Sequence, residues 1–193
     1  MININENLHI GSGRDRACYL SPQDPNTCIK VSLSTDKQSR REVAYYKFLM
    51  SNDFDLSLIA KYYGSVMTDK GKGECFEVIR DYDNSISLTL RQCIKERTLD
   101  TEQIFSLLAS LKIYLIDNKI VTRDLSPANI MIKRTSVEEI ELRIIDGLGN
   151  PNINPLTIRV KKLASKAIIK SFNKLIQKTE NEINQSTVSE LSV

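Results

Sequence analysis

Short apolar runs typical of strands dominate the first third of the chain, and apolar residues at helical spacing dominate the second half. The first third carries short apolar or β-prone runs, and a dense cluster of Ser, Pro, Asp and Asn at residues 21–26 separates two of them. Alternating short runs and turn residues predict strands, and this cluster predicts a hairpin. The predicted strands lie at residues 9–10, 17–20, 28–31 and 75–80, with a further candidate within 59–67.

Helical spacing first occurs at residues 36–49. Val43, Tyr46 and a third apolar residue at 49 or 50 fall on one face, which predicts an amphipathic helix. Ser34 or Thr35 precedes the pattern and is a candidate N-cap.

A second helix is predicted after Asp100, which has Gln103 three residues further on, the spacing of a capping box. The apolar face of this helix comprises Ile104, Leu107, Leu108, Leu111 and Leu115.

The last predicted helix runs from about residue 155 to residue 178. The expected buried stripe comprises Leu156, Val160, Leu163, Ala167 and residues 172–176.

The order of these elements predicts the fold class. A small β-rich lobe with one helix precedes a mainly helical lobe that contains short β-prone runs beside Asn129 and Asp146. Segregated strands and helices favour an α+β fold in two lobes rather than alternating βαβ units. We expect a single domain over residues 1–178, with an N-lobe at about 1–80 and a C-lobe at about 84–178. Residues 179–193 are polar and predict a flexible tail.

Composition narrows the function classes. The 193 residues include four cysteines without a CxxC motif and a single histidine, His9, which excludes a zinc finger and argues against a His-based triad. The N-terminus lacks a secretory pattern and no apolar stretch is long enough to span a membrane, so we expect a cytoplasmic protein with reduced thiols.

Positive charge is concentrated near the C-terminus. The formal net charge is only +3, yet residues 159–178 hold seven cations and no acid. Five lysines repeat every four residues, so on a helix they form one slowly turning stripe. The stripe is either a solvated face or a docking surface for an acidic partner, anionic lipid or nucleic acid, and a nucleic-acid binder is the least favoured of the functions considered.

Three features of the first lobe are weak signals when taken singly. Gly11 and Gly13 flank a turn where backbone N–H groups can approach a phosphate, but such a turn is common, and Arg16 stands where a third glycine of GxGxxG would fall. Lys30 lies inside an apolar strand, where a lysine often points to solvent. Glu42 lies on the first predicted helix, where it could equally be a surface charge paired with Arg41 or Lys47.

The segment RDLSPAN at residues 123–129 is the strongest local signal. It presents Asp124 and Asn129 five residues apart on a loop that Pro127 keeps out of helix. A carboxylate and an amide so placed can address a hydroxyl and a divalent cation together. Asp146 and Gly147 follow another predicted strand, where an Asp-Gly pair is often only a turn.

Taken together and in this order, the motifs resemble those of protein kinases. More closely, the chain resembles a small bacterial kinase-like family called YrbL, known from the PhoP regulon. The matching segments are IGSGRDRACYLSPQDPNTCIKV, RREVAYYKFL, YYGSV, FEVIRDYDNSISLTL, DNKIVTRDLSPANIMIK, IIDGLGN and the basic C-terminal helix, which together span about residues 8–178.

The resemblance implies a minimal kinase-like fold and a set of nucleotide contacts. ATP phosphates would lie under the turn of Gly11 and Gly13. Lys30 would hold the α- and β-phosphates and pair with Glu42. Backbone groups at residues 80–82 would face adenine.

The same resemblance implies roles for three residues of the second lobe. Asn129 and Asp146 would hold Mg²⁺, which prefers oxygen ligands. Asp124 would orient the attacking hydroxyl and accept its proton.

Three departures from the kinase pattern bear on catalysis. Thr122 replaces the usual His before Arg-Asp, Gly147 replaces the usual Phe after Asp146, and only 47 residues follow Asp146. We therefore expect a truncated or absent peptide-binding platform.

The resulting hypothesis is an ATP- and Mg²⁺-dependent kinase that phosphorylates a hydroxyl on a protein or on itself. Two alternatives stay open: a pseudokinase that acts as a regulatory binding module, and a small-molecule kinase.

Overall fold

The computed structural model describes residues 1–13, 15–33, 37–149 and 161–188. The N-terminal part is built on a five-stranded antiparallel sheet with the order β1-β2-β3-β5-β4. Its strands are β1 (His9–Ser12), β2 (Arg16–Leu20), β3 (Thr27–Ser32), β4 (Tyr62–Thr68) and β5 (Gly71–Glu77). The predicted strands are confirmed, although β5 ends before residue 80.

Helix α1 (Lys37–Met50) packs against this sheet. Val43, Tyr46 and Leu49 are buried, whereas Met50 is 51% exposed, so Leu49 completes the predicted face. The candidate caps Ser34 and Thr35 lie outside the described residues.

The C-terminal part holds the remaining helices around a small antiparallel sheet of order β6-β7-β8. Its elements are β6 (Leu88–Thr89), α2 (Leu90–Glu96), α3 (Thr101–Asp117), β7 (Ile130–Arg134), β8 (Ile140–Ile144) and α4 (Lys161–Val188). The α+β prediction is therefore confirmed, and the closer kinase-like description stays a prediction.

Local sequence explains where α2 and α3 begin. Asp100 accepts a hydrogen bond from the backbone N–H of Gln103 at 2.7 Å, and the Gln103 side chain accepts one from the Asp100 N–H at 3.1 Å. This is the predicted capping box. Thr89 and Gln92 form a second one at the start of α2, a helix that we did not predict from the sequence.

Helix α4 corrects two predictions. Its buried residues are Ala164, Ile168, Ser171, Phe172, Leu175 and Thr179, whereas Leu163 is 47% exposed. At this end of the helix the buried positions are 164 and 168, one residue after the predicted 163 and 167. The predicted positions Leu156 and Val160 lie outside the described residues. The helix also continues ten residues past Lys178, where we predicted a flexible tail to begin.

A continuous apolar core joins the two parts. It includes Tyr46 of α1, Phe76 of β5, Leu108 of α3 and Ile168 of α4. The Tyr45 hydroxyl accepts a hydrogen bond from the backbone N–H of Val121 at 2.9 Å, which ties α1 to the loop that precedes Asp124. Among the residues described, no helix is long and apolar enough to cross a membrane.

Candidate functional site

A cleft of about 1020 Å³ lies between the five-stranded sheet and the second lobe. This volume is at the upper end of the range for small-molecule sites. The seven residues predicted to contact phosphate, metal or acceptor line this cleft: Gly11, Gly13, Lys30, Glu42, Asp124, Asn129 and Asp146. Residues spread over more than 130 positions of sequence therefore converge on one cavity.

Lys30 points into the cleft and not to solvent. It lies in β3, which is almost wholly buried, and its ammonium donates to the Ile145 carbonyl at 2.6 Å. The same nitrogen lies 3.9 Å from Asp146 Oδ2 and 4.4 Å from the centre of the Phe76 ring. The amine is thus held at the floor of the cleft beside one carboxylate.

Arg16 of β2 is the central cation of the site. Its guanidinium donates to Glu42 through one nitrogen and to Asp146 through the other. The predicted ion pair between Lys30 and Glu42 is wrong for this structure, because β2 lies beside β3 and Arg16 reaches the Glu42 carboxylate instead.

The buried charges shift one another's acidity. Burial and the nearby Asp146 charge raise the pKa of Glu42 to about 7, against the lowering effect of Arg16 and Lys30. Burial also disfavours ionised Asp146, but Lys30 and Arg16 outweigh it and lower its pKa to about 2. Burial acts against the charged guanidinium, yet the two carboxylates raise the pKa of Arg16 above its usual value.

The Glu42 carboxylate also lacks one hydrogen-bond partner. Its Oε1 atom is buried and has no hydrogen-bond partner, and the hydroxyl of Tyr46 is in the same condition. An unpaired buried oxygen carries a desolvation penalty, which agrees with the raised pKa of Glu42.

The loop with Asp124 and the segment with Asp146 are bonded to each other. The Gly147 carbonyl accepts hydrogen bonds from the N–H groups of Arg123 at 2.8 Å and Asp124 at 3.3 Å. The Asn129 amide donates to the Asp124 carbonyl at 3.0 Å. Gly147 has φ of +84°, and a Cβ there would lie 2.5 Å from the Asp124 carbonyl oxygen, so glycine is required at this point.

Asp124 lies at the mouth of the cleft, with 71% of its side chain exposed. Lys178 of α4 donates to Asp124 Oδ1 at 2.7 Å and approaches the Leu125 carbonyl at 3.3 Å. The last lysine of the basic stripe is therefore partly exposed but bonded to Asp124, the residue proposed to accept the proton.

Two side chains of the cleft carry oxygens that a cation could bind. Asp146 has a carboxylate, although its Oδ1 accepts from the Gly147 N–H at 2.6 Å and its Oδ2 accepts from Arg16. Asn129 uses its NH₂ group for the bond to Asp124, which leaves its side-chain oxygen for a cation. This pair suits Mg²⁺, which commonly takes one or two protein oxygens together with phosphate oxygens. Within the described ranges, no group of three or more His, Cys, Asp or Glu side chains is placed to hold a metal.

Gly11 lies in strand β1 and only Gly13 lies in the turn that follows, and the space beside Gly11 is open. A Cβ added at Gly11 would meet nothing within 4 Å, so there is free space above this residue. The Gly13 N–H already donates to the Arg16 carbonyl at 2.8 Å, which closes the turn between β1 and β2.

In residues 80–82, the segment expected to face adenine, two backbone N–H groups bond to other parts of the protein. The N–H groups of Asp81 and Tyr82 donate to the carbonyls of Ser85 and Arg134 at 3.0 and 2.9 Å. On this side the cleft is lined by residues 86–89. The prediction for residues 80–82 is therefore wrong for these two N–H groups, because the turn at Ser85 accepts from one and the end of β7 at Arg134 accepts from the other.

Sequence reasoning missed three residues of the site. The sequence marks Arg16 only as the residue that breaks a GxGxxG motif and Gly147 only as a departure from the kinase pattern. Lys178 stands out only as one of five lysines that repeat every four residues. A charged residue beginning a buried strand was a usable signal for Arg16, while nothing local distinguishes Lys178 from the other lysines of α4.

Comparison with known proteins identifies relatives. The family described as PhoP regulatory network protein YrbL matches residues 2–180, which include every site residue named above. YrbL of Escherichia coli (strain K12), described as uncharacterized, is 40% identical over 164 residues that cover 81% of this chain and 77% of the relative. YrbL of Shigella flexneri has the same identity and coverage.

Proposed function

We propose that this chain, which belongs to the PhoP regulatory network protein YrbL family, binds Mg·ATP and transfers the γ-phosphoryl group to a hydroxyl. The observation that carries the proposal is the convergence of Lys30, Asp124, Asn129 and Asp146 on one cleft. The absence of a membrane-spanning helix among the described residues fits the cytoplasmic location that we propose.

The first lobe would bind the triphosphate. The open space at Gly11 leaves room for phosphate oxygens, and Lys30 supplies a buried ammonium in the same cleft. Arg16 adds a second cation that we did not foresee from the sequence. Positioning and charge neutralisation account for most of the catalysis in phosphoryl transfer.

The second lobe would act on the acceptor. The acceptor oxygen forms a bond to the γ-phosphorus as the bond from that phosphorus to the β–γ bridging oxygen breaks. The hydroxyl proton passes to the Asp124 carboxylate, and the products are ADP and a phosphate monoester. Asn129 and Asp146 would hold the Mg²⁺ that accompanies ATP, which neutralises charge on the phosphates.

A transfer assay tests this proposal. Purified protein is incubated with Mg²⁺ and γ-labelled ATP, alone and with panels of peptides and hydroxyl-bearing metabolites. We expect Asp124→Asn to lower transfer by about 10²-fold or more while ATP still binds. Asp117→Asn, an exposed carboxylate at the end of α3, is the matched control. Equal transfer by wild type and Asp124→Asn contradicts the catalytic assignment, and the label's destination separates a protein kinase from a small-molecule kinase.

A non-catalytic binding module is the second candidate, and two observations favour it. Arg16 already neutralises the carboxylates of Glu42 and Asp146, and the N–H groups at residues 81 and 82 are occupied within the chain. Under this alternative the protein binds a partner, with the basic stripe of α4 as a candidate surface for an acidic one. Reproducible turnover that depends on Asp124 removes this candidate.

A further inference from the structure

The C-terminal end of α4 is anchored beside the cleft. Thr179 is fully buried, and its hydroxyl donates to the Leu175 carbonyl at 2.9 Å. One turn later Glu182 accepts hydrogen bonds from the Arg91 guanidinium at 3.0 and 2.8 Å, and Arg91 itself lines the cleft. The burial of Thr179 and the bonds from Arg91 of α2 to Glu182 hold the helical turn that follows Lys178 against the second lobe.

Lys178 differs from the other lysines of the stripe. Lys162, Lys166, Lys170 and Lys174 are exposed, and within the described part of the chain none of them forms an ion pair. Lys178 is only 40% exposed and lies against the loop that carries Asp124. A solvated face does not account for this placement.

The Lys178–Asp124 pair contributes little to stability. Both side chains are substantially open to water, and ion pairs of this kind are worth about 0–1 kcal/mol. The pair instead matters for the orientation of the Asp124 side chain. An Asp side chain that is 71% exposed would otherwise sample several rotamers, whereas the bond from Lys178 to Oδ1 restrains the carboxylate and leaves Oδ2 unbonded among the described residues.

We propose that Lys178 is a positioning residue for phosphoryl transfer, which holds Asp124 so that its second carboxylate oxygen faces the acceptor hydroxyl. This inference rests on the proposed function and adds to the site a residue from α4, the last helix of the described chain. A misplacement of about 1 Å in a reacting group can cost about 10²-fold in rate, so the loss of this restraint is measurable.

The experiment follows ADP release from Mg·ATP, with water or the best acceptor of the panel, in full-length variants. We expect Lys178→Gln to lower kcat by about tenfold to a hundredfold with little change in the KM for ATP. Lys178→Arg restores much of the rate because a guanidinium can also bond to the carboxylate. Lys174→Gln, one turn earlier on the same helix, behaves as wild type. Thermal unfolding checks that all variants are folded.

A double-mutant cycle identifies the route of the effect. If Lys178 acts through Asp124, Lys178→Gln has no further effect in an Asp124→Asn background. Equal kcat for Lys178→Gln and Lys174→Gln, with Asp124-dependent turnover in wild type, overturns this inference and leaves the proposed function standing. A rise in kcat for Lys178→Gln also overturns it, because the lysine then obstructs the base. Absence of turnover in wild type overturns both.

Discussion

Replacement of Glu42 by Gln should change how stability depends on pH. Glu42 lies on α1 with 4% of its surface exposed, and only one of its two carboxylate oxygens has a partner. Burial and the Asp146 charge raise its pKa from 4.5 to about 7. Between these two values the folded protein keeps a proton that the unfolded chain has released.

The sign and size of the effect follow from this difference. Because the native state binds the extra proton, the free energy of unfolding falls as pH rises from about 4.5 to about 7. Each pKa unit corresponds to about 1.4 kcal/mol, so Glu42 alone should lower stability by about 3 kcal/mol across this window. The lowered pKa of Asp146, about 2, acts in the opposite direction but only below its ordinary value of 3.8.

Urea unfolding of wild type and Glu42→Gln at several pH values from 4.5 to 8 measures the difference. We expect the variant to gain about 3 kcal/mol relative to wild type over this range, since Gln does not titrate. Glu138→Gln, an exposed position in a loop, is the control and should follow wild type. Parallel curves for wild type and Glu42→Gln would refute the argument, as would a wild type that gains stability over Glu42→Gln with rising pH.

Two further variants test the surroundings of the site by urea unfolding. Gly147→Ala should lower the free energy of unfolding by about 1–3 kcal/mol or more, because its Cβ would meet the Asp124 carbonyl and its φ is positive. Gly11→Ala is the control and should not lower it, because a Cβ there has open space. Equal losses for the two variants would contradict the steric argument. Arg16→Gln at pH 8 should cost about 3–5 kcal/mol because it leaves two carboxylates of the site without their shared cation. Lys133→Gln, which removes a partly exposed ion pair on the second lobe, should cost less than about 1 kcal/mol. A similar cost for Arg16→Gln and Lys133→Gln would argue against the importance of the ion pairs that Arg16 forms with Glu42 and Asp146.

The elements that local sequence specifies were predictable. Strands β1 to β3 follow from short β-prone runs and the turn at residues 21–26, and α3 follows from its capping box and apolar face. Helix α2 escaped prediction because its seven residues are too few for a clear period. The register error in α4 arose because several neighbouring apolar residues allow two similar stripes.

The composition of the cleft was predictable from motif order, but its internal pairing was not. Arg16 meets partners that are 26 and 130 residues away, and Lys178 meets Asp124 across 54 residues. Such contacts depend on how the strands and helices pack, and no local pattern encodes which of two nearby cations reaches a given carboxylate.

The bonds around Gly147 have a consequence for motion. Arg123 and Asp124 donate to Gly147, Asn129 donates to Asp124, and the N–H of Ile145 donates to the Asn129 carbonyl at 3.0 Å. These links form a closed ring of main-chain and side-chain bonds, so neither segment can open without breaking the other. We therefore expect the two segments to open to solvent as one cooperative unit, so hydrogen exchange should give the same opening free energy for the amides of both.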